Sequence, residues 1–269
     1  MTGHIKNELG QLSYVTSGSG EKVLFAFHGF GQNKEQFIKI LRPWEPYYTI
    51  YAFDLPFHGD SNWPSIGVVL KPDWFELLQN FISEKQIKKF SLLGFSMGGR
   101  FVLATLELFL SKIDLIHFIA PDGFKQNFWY KLATHNSLTR SIFKYVSYHP
   151  KALFVLIDLM DRSRLMNAGL IKFVRGELRD SEERIRVYHS WVGIRHLKFN
   201  LSEILQLIEK YEIETFLFLG SRDRVIKKEY FSSIINSRNS IKIKVVDSGH
   251  QHVMSLSVKN WHDEYEAKS

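Results

Sequence analysis

Residues 92–100 read LLGFSMGGR, and the fold turns on whether Ser96 is a nucleophile or only the serine of a glycine-rich turn. A Gly-x-Ser-x-Gly pattern alone arises by chance in a chain of this length on the order of one time in ten. The flanking residues carry the reading. Phe90–Phe95 (FSLLGF) is a short apolar run that leads straight into Ser96, and the residues after it predict a helix over Met97–Leu110. A nucleophile elbow needs that strand, sharp turn and helix in that order. Gly94 and Gly98 remove side chains where strand and helix would collide, and the helix N-terminus brings free N–H groups and the positive dipole end beside the serine oxygen.

The same strand-end pattern recurs along the chain. Lys22–Phe27 ends at HGFG, Tyr48–Phe53 at DLPFHGDS, Leu115–Ala120 at PDG, Thr215–Leu219 at GSRD and Ile241–Val246 at DSGH. Short apolar runs that do not alternate and are bounded by Gly, Pro and Asp suit the interior of a parallel sheet. Helical patterns lie between them at Asp73–Glu84, Leu201–Tyr211 and Lys227–Ile235, with Pro72 placed for a first turn. The alternation predicts a doubly wound α/β sheet, with Gln11–Ser17 as an antiparallel hairpin partner ahead of Lys22. From Phe124 to about Asn200 no strand pattern is evident. That stretch reads as a helical cap, 124–200, inserted into a core of 1–123 and 201–269.

Ligands of such sheets bind beyond the carboxyl ends of the strands, where these clusters fall. A serine nucleophile needs a base and an acid that orients the base. His250 is the favoured base over His252, and Asp223 the favoured acid over Asp122; Asp247 fits better as strand-end structure. The chain order is then Ser96, Asp223, His250. Two N–H groups should hold the oxyanion, Met97 after the nucleophile and Phe30 in the HGFG loop. His28 is a loop-holding residue or a second base. No metal-ligand spacing surrounds the histidines, and no cofactor is expected.

Cysteine is absent, so disulfides and thiolate metal sites are excluded. The N-terminal residues lack a signal-peptide core and the longest apolar runs are too short for a bilayer, so a soluble, cytoplasmic protein is expected. The net charge of +7 is concentrated: Phe124–Phe199 holds 14 Lys+Arg against 6 Asp+Glu. That surplus is either a solvated helical face or an attractor for an anionic substrate. Neither nucleic acid nor membrane is an expected partner, and oligomeric state is not readable.

HGFG (28–31), DLPFHGDS (54–61), GFSMGG (94–99), GSRD (220–223) and SGH (248–250) together resemble the α/β-hydrolase superfamily, in its capped form. The resemblance implies an eight-stranded, mostly parallel sheet with helices on both faces, a triad at its carboxyl edge and a lid after the sixth strand. Its implied activity is a serine hydrolase cleaving an ester, thioester or similar acyl substrate. Phe57 departs from the pattern, standing where glycine is usual, and the proline common before the seventh strand is missing at Glu214-Thr215. Serine at the elbow sets the chain apart from haloalkane dehalogenases and epoxide hydrolases, which carry aspartate there.

GFSMGGR also resembles the elbow of the menaquinone-pathway lyase that forms 2-succinyl-6-hydroxy-2,4-cyclohexadiene-1-carboxylate. There an arginine after the paired glycines contacts an acidic substrate, and Arg100 occupies that position. It either reaches the pocket or braces neighbouring loops. A non-catalytic ligand-binding protein is the third reading. Phe128, Trp129, Tyr130, Phe143, Tyr145, Phe154 and Trp191 either line an apolar pocket or pack the cap's helices.

Overall fold

The computed structural model describes residues 1–64, 67–125, 128–163, 175, 180–235 and 241–266. Its elements in chain order are β1 (Thr2–Lys6), β2 (Gln11–Ser17), β3 (Lys22–Phe27), α1 (Lys34–Leu41), β4 (Tyr48–Phe53), α2 (Lys71–Glu84), β5 (Phe90–Phe95), α3 (Gly98–Phe109) and β6 (Ile113–Ile119). There follow α4 (Phe128–His135), α5 (Ser137–Tyr148), α6 (Pro150–Arg162), α7 (Ser181–Gly193), α8 (Leu201–Lys210), β7 (Glu214–Gly220), α9 (Ser232–Ile235), β8 (Ile241–Val246) and α10 (His250–Glu266). They form two compact units, one of Met1–Pro64, Leu70–Lys125 and Leu197–Ser269, the other of Ser65–Val69 and Gln126–His196.

The first unit is built on an eight-stranded sheet in the order β1-β2-β4-β3-β5-β6-β7-β8. The pairs β1/β2 and β2/β4 are antiparallel, and every other pair is parallel. The register matches Phe27 with Phe53 and Gly94, Phe95 with Ile119, Ile119 with Phe218 and Gly220 with Val246. The parallel strands therefore finish together, and the loops after them share one edge. β5 lies third from neither end but deep in the sheet, and all six of its residues are buried. On one face Leu24, Ala26, Leu93, Phe95 and Phe218 pack with Phe37 and Leu41 of α1 and Val253, Met254, Val258 and Trp261 of α10. On the other, Phe25, Phe27, Phe53, Phe81, Trp74 and Phe101 interlock edge-to-face or tilted. The Trp indoles on the two faces are satisfied too: Trp74 Nε1 donates to Thr105 Oγ1 at 2.9 Å, and Trp44 Nε1 to the Val258 carbonyl at 3.0 Å.

The fold differs from the sequence reading in a few places. β2 does not pair with β3; it pairs with β4 on one side and with the additional strand β1 on the other. The reason lies in the linker. Gly18 (φ 82°) and Gly20 run so close under β4 that a Cβ on either would stand 2.2 and 2.0 Å from backbone atoms of Tyr48 and Tyr47. That route carries the chain past β4 before β3 begins. α1 and α10 are also new. Asn33 starts α1 by accepting the Gln36 N–H. The expected helix at Lys227–Ile235 is a 3-10 turn at Lys228–Phe231 followed by the short α9.

In the second unit, α4 to α7 are the regular elements, and no strand occurs there among the described residues. Asn136 caps α5 by accepting Leu138 N–H, and Asp180 caps α7 by accepting Glu182 and Glu183 N–H. Tyr130 and Phe143 each pack on Trp191, and the Tyr130 hydroxyl donates to the Trp191 carbonyl at 3.1 Å. These three aromatics build the unit's interior, whereas Tyr145 is exposed; the side chain of Trp129 lies outside the described ones. The second unit takes in Gln126–His196, and Leu197, the next residue, is buried in the first unit. Val69 joins the second unit, where its N–H donates to the Gly193 carbonyl at 2.8 Å.

Candidate active site

Ser96 follows β5 with φ 49°, the left-handed conformation that L-residues rarely adopt. Its backbone is held on every side. Ser96 N–H donates to the Ile119 carbonyl at 3.1 Å, and the Ser96 carbonyl accepts from Gly99 N–H at 2.9 Å and Asp122 N–H at 2.8 Å. A Cβ on Gly94 would lie 2.6 Å from Val102 of α3 and 2.8 Å from the Gly98 carbonyl. The missing side chain lets the helix return over the strand that leads into it.

Two distant loops meet this turn. His250 is the first residue of α10; its Nε2 lies 3.0 Å from Ser96 Oγ and its Nδ1 2.7 Å from Asp223 Oδ2. The other carboxylate oxygen of Asp223 accepts from Val225 N–H at 2.8 Å and Ile226 N–H at 2.9 Å. The Asp223 side chain is wholly buried while His250 keeps slight exposure, and the Phe95 ring stacks on the imidazole at 5.3 Å. Ser96, His250 and Asp223 thus form one continuous hydrogen-bonded chain. The rival residues are placed elsewhere. His252 is exposed on α10. Asp247 is paired with Arg222 and accepts the Ser221 hydroxyl.

Arg100, which the sequence left between a substrate contact and a brace of neighbouring loops, is engaged by neighbouring groups. Its side chain is 2% exposed; Nε donates to Asp122 Oδ2 at 2.6 Å, Nη2 to Asp122 Oδ1 at 3.3 Å and Nη1 to the Leu197 carbonyl at 3.3 Å. The guanidinium is a brace between the ends of β6 and the start of the α8 segment, and Asp122, the other candidate acid, is its partner. Both charges satisfy each other where a lone one would be costly.

The HGFG loop is fixed by Gln32, which the sequence reading left unassigned, and by His28. Gln32 Oε1 accepts the Gly29 N–H at 2.9 Å, and Gln32 N–H donates to the Gly29 carbonyl. His28 is fully buried. Its Nε2 accepts the Leu55 N–H at 3.1 Å, so Nδ1 carries the proton and donates to the Gly29 carbonyl at 2.7 Å. Burial pushes its pKa down to about 4, partly offset by that backbone hydrogen bond. A neutral, doubly engaged imidazole is a loop holder and not a second base. Below it, Asp54 accepts Lys34 N–H at 2.6 Å and Asp60 N–H at 2.8 Å, and Lys34 Nζ bridges Asp54 and Asp60. The DLPFHGDS motif pointed to this place but not to Lys34. Phe57, standing where glycine is usual, is in the left-handed conformation, φ 70°, at a cost of roughly 1–2 kcal/mol.

Met97 directly follows Ser96, and Phe30 stands in the HGFG loop after β3. α3 begins so close to the end of β3 that a Cβ on Gly98 would meet the Phe27 carbonyl oxygen at 2.0 Å and that of His28 at 2.9 Å. Among the described residues no three or more His, Asp or Glu side chains gather as a metal-ligand set.

A protein of Mycoplasma pneumoniae assigned as esterase/lipase 2 is 30% identical over 95 residues, which is 35% of this chain and 35% of the relative. The dihydrolipoyllysine-residue acetyltransferase component of the acetoin cleaving system of Cupriavidus necator is 26% identical over 114 residues, 42% of this chain and 30% of the relative. The matched part is about a third of either relative's length. Among solved structures, a thermophilic esterase from Thermogutta terrifontis superposes with a TM-score of 0.69 at 15% identity, covering 98% of each chain. A bacterial membrane phospholipase A superposes with a TM-score of 0.66 at 21% identity, covering 99% of this chain and 84% of the other. At such identities the likeness concerns the fold alone. Residues 22–254 match the family described as alpha/beta hydrolase fold, most of the sheet and every loop of the site included, and the chain belongs to that family.

Proposed function

We propose that this chain is a serine hydrolase that cleaves an ester, thioester or related activated acyl group. The observation that carries the reading is the unbroken chain Ser96 Oγ, His250 Nε2, His250 Nδ1, Asp223 Oδ2 at 3.0 and 2.7 Å. Ser96 Oγ attacks the acyl carbon while His250 Nε2 takes the hydroxyl proton. Asp223 keeps the Nδ1–H tautomer in place and stabilises the imidazolium. The carbonyl oxygen, now an anion, is received by the Met97 and Phe30 N–H groups. His250 passes the proton to the departing alcohol or thiol; a water activated by the same nitrogen then releases the acid and restores Ser96. Each step is a proton transfer or acyl transfer that these residues supply.

The likeness to the esterase/lipase of Mycoplasma pneumoniae supports the substrate class, acyl esters, without narrowing it. The lyase reading is the less supported one, because Arg100, the residue that set it apart, is committed to Asp122. The test is intact-mass analysis after exposure to a fluorophosphonate, wild type beside Ser96→Ala. One adduct on the wild type and none on the variant is the expected result, followed by turnover of an ester chain-length series. A folded wild type that takes no adduct and cleaves no ester overturns the reading and favours a binding protein on the same scaffold.

A further inference from the structure

Eight of the fifteen large apolar side chains left exposed among the described residues fall between Phe128 and Leu159, on three consecutive helices of the second unit. They follow helical spacing: Leu138, Ile142 and Tyr145 on α5 at i, i+4 and i+7, and Val155 and Leu159 on α6 at i and i+4. Exposures are high, 69% for Leu138, 68% for Val155 and 64% for Leu159. These stripes do not build the unit. α5 already has an inward face, where Phe143 packs on Tyr188 and Trp191 and Val146 is buried, and α6 buries Ile157. A helix apolar on two sides is normally covered on both. Exposed apolar surface of this extent marks a binding surface.

The charge around it says what covers it. Lys131, Lys144 and Lys151, on the same three helices, are exposed and have no carboxylate partner among the described residues. They belong to the segment with 14 basic against 6 acidic residues. A second copy of the chain seated on this face would set that surplus against itself. An anionic lipid surface offers both what the stripes and what the lysines need: hydrocarbon for the apolar side chains and negative headgroups for the ammonium groups. We propose that α4 to α6 adsorb to anionic phospholipid surfaces. None of the described helices is long and apolar enough to cross a membrane, and the contact proposed is peripheral. The expectation of no membrane partner came from run lengths, which speak to spanning and not to adsorption. The proposal does not rest on the hydrolase reading.

The test is flotation of the full chain with vesicles of phosphatidylcholine alone and with about one-third phosphatidylglycerol, at about 0.05 M and about 0.5 M salt. Expected is at least ~10-fold stronger partition onto the anionic vesicles, weakened by salt. The variant L138S/I142S/L159S should lower that partition at least ~10-fold, and K131E/K144E/K151E should remove the preference for anionic lipid. An unchanged melting temperature identifies the losses as surface effects. Should the apolar triple prove unstable, the lysine triple and Leu138→Ser alone carry the same comparison. A wild type that stays with neither vesicle, or binds both equally at either salt, overturns the proposal. So does a salt-resistant dimer in sedimentation velocity that the apolar variant dissolves, which would assign the face to a second copy.

Discussion

Gly98 and Phe27 touch more closely than any side chain would permit: a Cβ on Gly98 would lie 2.0 Å from the Phe27 carbonyl oxygen. This contact ties the first turn of α3, with the Met97 amide ahead of it, to the strand that runs into Gly29 and Phe30. The two N–H groups proposed for the oxyanion thus depend on one missing methyl group. The obstacle is backbone, which has no rotamer to yield. Gly98→Ala should cost about 1–3 kcal/mol of stability as overpacking. If it also displaces an oxyanion donor, ester turnover should fall ~10²-fold or more, with fluorophosphonate labelling slowed in parallel. Thermal unfolding and labelling rates on the same sample check both; full turnover in a destabilised protein would separate this contact from the oxyanion site.

Asp223 has a constraint on both oxygens that makes its amide variant informative. One oxygen accepts Val225 and Ile226 N–H, and the other accepts from His250 Nδ1. In Asp223→Asn the single remaining oxygen is best kept by the two backbone donors. The amide NH2 then faces His250 and donates to Nδ1, which moves the ring proton to Nε2. That nitrogen can no longer take the Ser96 proton. The expected outcome is a loss of ~10³–10⁴ in kcat with little change in folding stability. Steady-state kinetics with a denaturation curve tests it, and a variant retaining a tenth of wild-type turnover would sink the orienting role.

How much of this was legible in the sequence follows from how local each signal is. Ser96, Asp223 and His250 each stand within four residues of the end of a short apolar strand, so each announces its own place at the sheet edge. The sheet itself makes them neighbours. β1 was not legible, because TGHIK is polar and buries only Ile5. The partner of β2 was hidden as well, since it depends on how Gly18 and Gly20 pass β4 and not on the strand's own residues. Lys34 gave no sign of its role: it reads as a surface lysine on α1 until Asp54 and Asp60 are brought to it from the next strand end. Arg100 left two roles open from sequence alone, and only its partners 22 and 97 residues away decide between them.

That decision can be tested. Arg100→Ala leaves the Asp122 carboxylate without its cation; because that carboxylate is 29% exposed, the expected loss is about 2–3 kcal/mol, below the figure for a fully buried pair. R100M/D122L, which removes both charges, should recover a good part of it. A brace lowers activity toward neutral and anionic esters alike. A substrate-binding arginine would instead raise KM for the anionic ester at least ~10-fold while sparing the neutral one. Paired KM measurements on a succinyl and an acetyl ester distinguish the two.

The last prediction concerns acid stability. His117 on β6 is wholly buried between the rings of Trp44, Phe216 and Trp261, at centroid distances of 4.6, 5.5 and 5.3 Å, and neither ring nitrogen has a hydrogen-bond partner among the described residues. Burial pushes its pKa down to about 3, as it pushes that of His28 down to about 4. The unfolded chain takes up protons on both as pH falls below about 6.5, and the folded chain does not. Their contribution to stability is therefore complete above about pH 6.5 and declines as pH falls toward 4 for His28 and 3 for His117. His117→Phe removes one of the two and puts carbon where the orphaned nitrogens were. At pH 7 it should be as stable as the wild type or more so. Between pH 7 and pH 4.5 it should lose about 2–3 kcal/mol less than the wild type. Urea midpoints at the two pH values measure the difference, and parallel losses in the two proteins would mean that His117 is reached by water and protonated in the folded chain.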